Sequence, residues 1–93
     1  MYDLATIAIQ KKREVLERLN LSTHAIDCRV KDGLFPPPIN LSGRSIGFIK
    51  QEVDIILQGM MLGKSIDELR ILTSSLVSFR ETARTKIDMV GGF

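Results

Sequence analysis

Apolar residues recur along this chain at spacings that switch between helical and extended, and the switches mark its elements. Residues 5–10, ATIAIQ, fit two patterns. Thr6, Ile7 and Ile9 are β-branched and suit a short strand, while Asp3 can equally cap one long helix. From Lys12 the sequence KREVLERLN predicts a helix, with Val15, Leu16 and Leu19 on one face. Asn20-Leu21-Ser22 is a tight corner, because Asn tolerates the left-handed conformation and Ser is a favoured N-cap. A second short helix over residues 23–32 stops at Gly33, where glycine meets the left-handed demand cheaply. Ile26 and Val30, four apart, turn inward, which sends His24, Asp27, Cys28 and Lys31 towards the outer face at about 100° per residue.

Phe35-Pro36-Pro37-Pro38 removes three backbone donors and stays extended, leading into a hairpin. There the period falls to two: Ile39, Leu41, Ile46 and Phe48 are expected inward, and Ser42-Gly43-Arg44 makes the turn. Ile49, Val53, Ile56, Leu57 and Met60 restore a helical period from Lys50 to about Leu62, closed by Gly63. Ser65 and Glu68 form a capping box that opens a last helix. Its apolar residues Ile66, Leu69, Leu72, Leu76, Phe79, Ala83 and Ile87 come close to a heptad seam. That spacing predicts pairing of two copies through Leu69, Leu72, Leu76 and Phe79, with packing onto the same domain as the competing reading. The fold class expected is mainly α with a small β-hairpin wing. Residues 1–63 make a winged helix-turn-helix, and residues 64–93 a long C-terminal helix that serves as a dimerisation element.

Composition narrows the function more than the fold. At 93 residues, 44% hydrophobic and 26% charged, the chain reads as one small globular domain. A formal net charge of +2 permits a polyanionic partner without demanding one. Lys11, Lys12, Arg13 and Arg18 form a basic run that reads as a solvated face or as a phosphate-facing helix start. The single cysteine, Cys28, excludes an internal disulfide and fits a reducing cytoplasm. No apolar run reaches the ~20 residues of a membrane span, and the basic residues follow the apolar ones at the N-terminus, the wrong order for a signal peptide. With one histidine, one cysteine and no metal-ligand spacing, neither an enzyme nor a cofactor or metal site is expected.

Residues 14–22, EVLERLNLS, and residues 26–54 resemble the AlpA-type phage and prophage regulators, a branch of the MerR-like winged helix-turn-helix group that includes excisionases. The resemblance centres on Lys31-Asp32-Gly33-Leu34-Phe35-Pro36, followed by Gly43-Arg44, Phe48 and Glu52-Val53. It covers about residues 13 to 60 and implies that the lysine-acid-glycine ends a recognition helix and that the arginine tips a wing. It implies double-stranded DNA as partner, read by Ser22, Thr23, His24, Asp27, Cys28 and Lys31 and anchored by Arg44. An integrase or RNA polymerase are further candidate partners. The chain departs from the family where an aromatic and a basic residue are usual and Asp27 and Cys28 stand instead; Arg29 takes an apolar position. The expectations that follow are a sequence-specific transcriptional regulator, an excisionase, or a scaffold that binds protein because Asp27 repels phosphate.

Overall fold

The computed structural model describes the backbone of residues 2–91 and the side chains of residues 2, 3 and 5–82. Both readings of the opening segment hold a part of the truth. Asp3 does cap a turn, accepting from the Ala5 amide at 2.9 Å, but the turn is a single 3-10 unit over Leu4–Thr6. The chain then extends into strand β1, Ile9–Lys11, before helix α1, Lys12–Leu19. Asn20 adopts the left-handed conformation with φ 54°. Ser22 caps helix α2, Thr23–Lys31, by accepting from the Ala25 amide at 3.1 Å. Gly33, at φ 76°, turns the chain away from the end of α2.

The expected hairpin, strands β2 (Ile39–Ser42) and β3 (Ser45–Ile49), is widened to three strands, because β1 adds to it antiparallel in the order β1-β3-β2. Gly47 lets β1 in. A Cβ at that position would lie 2.5 Å from Cγ2 of Ile9 and 3.2 Å from Cδ1 of Leu41. The register also corrects the assignment of faces. Ile39 opposes Gly47, so by alternation Leu41 falls with it on the Gly47 side of the sheet, away from Phe48, and the pairing slips between Asn40 and Ser42. Ile46 shares the face of Phe48 but sits two residues nearer the tip, beyond the reach of the core. Leu41 and Ile46, both expected inward, are therefore exposed, at 44% and 40%.

Helix α3, Lys50–Met61, and helix α4, Ile66–Gly91, complete the chain. The capping box forms as expected: the Glu68 amide donates to Ser65 Oγ at 3.2 Å and the Ser65 amide to Glu68 Oε1 at 3.4 Å. One core gathers Val15 of α1, Ile26 of α2, Phe35, Phe48 of β3, Val53 and Ile56 of α3, and Leu76 of α4. Phe35 and Phe48 meet edge to face at 5.6 Å.

The apolar stripe of the last helix packs at least in part onto the chain's own core. Leu69 and Leu76 are buried, Leu72 lies against the core, and Phe79 meets Tyr2 edge to face at 4.7 Å. Gly59 admits the close approach, since a Cβ there would stand 3.2 Å from Leu69 and 3.3 Å from Leu72. Leu69 and Leu76 thus serve the chain's own interior, while Leu72 and Phe79 are half-buried against it. Of the other seam positions, Ile66 is exposed, and Ala83 and Ile87 lie outside the described side chains. Leu76 of α4 shares the core with residues of α1, α2, β3 and α3.

A buried ion pair locks α4 in place. Glu52, only 1% exposed, accepts from Arg80 Nε at 2.8 Å and also from Arg80 Nη2, which reaches the Pro37 carbonyl at 2.9 Å. The Tyr2 hydroxyl adds a third donor at 3.0 Å. Burial, reinforced by the neighbouring Glu52 carboxylate, pushes the Tyr2 hydroxyl up to about 12. The Glu52 hydrogen bonds hold the Arg80 guanidinium still more firmly protonated. Four segments meet at this one carboxylate: the N-terminus, the proline stretch, α3 and α4. Among the described residues, no helix is long and apolar enough to cross a membrane.

Candidate nucleic-acid interface

Helix α2 is anchored from below by Ile26 in the core, with Val30 packed against it. Its other face stands clear: Ser22, Thr23, His24, Asp27, Cys28 and Lys31 are all exposed, as is Arg44 at the turn between β2 and β3. The structure thus brings the residues singled out from the sequence to one outward helix face and one wing tip. The Ser22 oxygen is occupied by the cap, leaving its O–H to donate outward. His24 Nε2 and Cys28 Sγ lie 3.6 Å apart, one helical turn separated, and shield each other at the middle of the face.

Asp27 is not a bare negative charge. Lys12, the first residue of α1, reaches across and places Nζ 2.8 Å from Asp27 Oδ1. Sequence reasoning noted both residues and missed their pairing, because fifteen positions and a helix corner separate them. The same geometry divides the basic run. Lys12 pairs with Asp27, and Arg18 with Asp54 at 2.6 Å, whereas Lys11 and Arg13 have no carboxylate partner.

Across the described residues the cations sort by position. Lys50 is paired with Asp54, Lys64 with Glu68, Arg70 with Asp67 and Arg80 with Glu52. For Asp54, burial raises the carboxyl but the hydrogen bonds from Lys50 and Arg18 outweigh it and hold it below its ordinary value. The Lys and Arg side chains without an ion pair are Lys11, Arg13, Arg29, Lys31 and Arg44. All five come from the junction of β1 and α1, from α2 or from the wing. Formal net charge is small, yet the uncompensated positive charge is gathered on the helix-turn-helix and wing, while α3 and the described part of α4 have theirs cancelled. Of the five, Lys11, Arg13 and Arg29 were not among the residues expected to touch a ligand. The basic run pointed at the first two, and nothing in the periodicity marked the third.

Among the described residues there is no group of three or more His, Cys, Asp or Glu side chains placed to hold a metal ion. What the site offers is a projecting helix, a projecting hairpin and free cations on both.

Four helices and a small antiparallel sheet, with a short helix pair feeding a hairpin, make this a winged helix-turn-helix protein. A family model described as prophage CP4-57 regulatory protein (AlpA) matches residues 8–58, more than half of the chain, from just ahead of β1 into α3. The chain belongs to the AlpA family of phage regulatory proteins, which is not an enzyme family. Neither the curated proteins nor the solved structures contain a match to it. Helix α4 lies outside the matched region, although it completes the core.

Proposed function

We propose that the protein binds double-stranded DNA sequence-specifically and acts as a phage-type transcriptional regulator. In this reading α2 enters the major groove, and the β2–β3 wing rests on the neighbouring backbone through Arg44. The observation that carries it is the sorting of charge: every described cation lacking an ion pair lies at the junction of β1 and α1, on α2 or at the wing tip. Phosphate binding needs cations free of internal partners, since a protein carboxylate competes with the phosphate for the same donor. Asp27 was the residue that argued for a protein partner instead. Lys12 beside it offsets that charge, which supports the DNA reading.

An electrophoretic mobility shift titration against duplexes from the protein's own upstream region, repeated over a range of salt, tests the reading. Binding should weaken steeply with salt, and Arg44→Ala should reduce the log–log slope by about one phosphate contact. A wild-type protein that stays folded yet binds no duplex at low salt refutes it. An unchanged slope in the Arg44→Ala variant removes the wing from it.

A further inference from the structure

We infer that Asp27 is a specificity-determining residue, reading an exocyclic amino group in the major groove, and that Lys12 is the positioning residue that makes this possible. The inference rests on the DNA-binding reading above and adds which chemical group on the DNA is recognised and how.

An ionised aspartate only accepts hydrogen bonds, and the amino donors of the major groove are cytosine N4 and adenine N6. An acidic side chain on a reading helix therefore selects a base that shows an amino group, but it approaches phosphates at the same time and is repelled by them. The structure resolves that conflict. Lys12 Nζ sits 2.8 Å from Oδ1 of Asp27, while Oδ2 makes no hydrogen bond and the side chain stays 58% exposed. The pair is formally neutral, yet one acceptor oxygen remains available on the outward face. Lys12 comes from a different helix, so it fixes the carboxylate from the side.

A second feature supports the assignment. Lys31 follows Asp27 by four positions on α2, the spacing at which a helix makes its own ion pairs. Asp27 instead pairs with Lys12, and Lys31 is left without a carboxylate. The arrangement frees a cation at the end of the helix for phosphate and holds the carboxylate in mid-face, where base edges are met. A surface ion pair serving stability alone has little to offer here, since exposed pairs contribute almost nothing to folding.

The test is selection of bound duplexes from a randomised library, followed by mobility shift titrations of wild type, Asp27→Ala, Lys12→Met and the double variant on the selected site and on each single-base-pair change of it. Asp27→Ala should lose about tenfold discrimination at one base pair carrying a cytosine or adenine in the contacted strand, and keep discrimination elsewhere. Lys12→Met should weaken binding several-fold to matched and mismatched duplexes alike, because it uncovers the aspartate charge. Adding Asp27→Ala to Lys12→Met should restore general affinity without restoring discrimination. Thermal unfolding midpoints should stay together across the set. Unchanged discrimination in Asp27→Ala, or a double variant that binds no better than Lys12→Met, overturns the inference while leaving DNA binding intact. A wild type that selects no duplex overturns the DNA reading and this inference together.

Discussion

Replacing Arg80 with methionine should cost the fold about 3–5 kcal/mol, although Arg80 is far along the chain from helix α2. Methionine keeps an apolar stem and removes only the guanidinium. Glu52, 1% exposed, would keep a single donor, the Tyr2 hydroxyl at 3.0 Å, and lose both contacts from Arg80. A buried carboxylate stripped of its cation carries its desolvation cost uncompensated, which sets the magnitude. For a domain of this size the whole stability is on the order of 5–14 kcal/mol, so a large fraction goes. Lys64→Met is the internal control. Its partner Glu68 is 3.6 Å away with both side chains well exposed, and the loss there should be far smaller than for Arg80→Met. Urea unfolding followed by far-ultraviolet circular dichroism measures both. The double variant Arg80→Met, Glu52→Leu should recover most of the loss, because a buried pair exchanged for apolar side chains is near neutral. An Arg80→Met protein within about 1 kcal/mol of wild type refutes the account of Glu52 as a buried charge dependent on α4.

Three further outcomes follow from the same packing. Tyr2 is the sole tyrosine, so phenolate absorbance reports it alone. The folded protein should titrate at about 12, and because that lies above the ordinary 10, the stability Tyr2 contributes is intact below pH 10 and lost as pH rises towards 12; a folded-state midpoint near 10 contradicts the geometry. Leu76→Ala should destabilise by about 2–5 kcal/mol, equally at low and high protein concentration, since Leu76 fills the chain's own core; a loss seen only on dilution would instead indicate an interface between copies. Gly47→Ala should cost about 1–3 kcal/mol and speed amide exchange in β1, because the new methyl meets Ile9 at 2.5 Å; normal protection of β1 would show that Ile9 moves aside freely.

Much of the candidate interface was legible before any coordinates. Ser22 as cap, Gly33 as stop, Gly43 in the turn and the Ser65–Glu68 box are each local, needing only a few neighbouring residues, and each forms as read. The outward positions of His24, Asp27, Cys28 and Lys31 followed from one periodicity and one buried reference residue, Ile26. What short-range pattern left undecided shares a cause as well. Leu41 was assigned inward from alternation within one strand, but the register that sets Ile39 opposite Gly47 is a property of two strands. Leu69, Leu72, Leu76 and Phe79 form an apolar stripe whichever surface they meet, so spacing alone could not separate a second copy from the chain's own core.

By itself, then, the sequence determined the order of helices and turns, the outward face of α2, the turn with Arg44 at its tip and the family, all of which depend on short-range geometry or on an ordered set of residues. The tertiary structure decided which partner each surface and charge received. β1 joined β3 across forty positions of chain, α4 closed the core through Leu76, and Glu52 drew in Arg80 and Tyr2. Lys12 settled on Asp27, leaving five other cations free. Ion pairs and strand pairings act between groups a few ångströms apart in space, and separation along the chain carries no record of that distance.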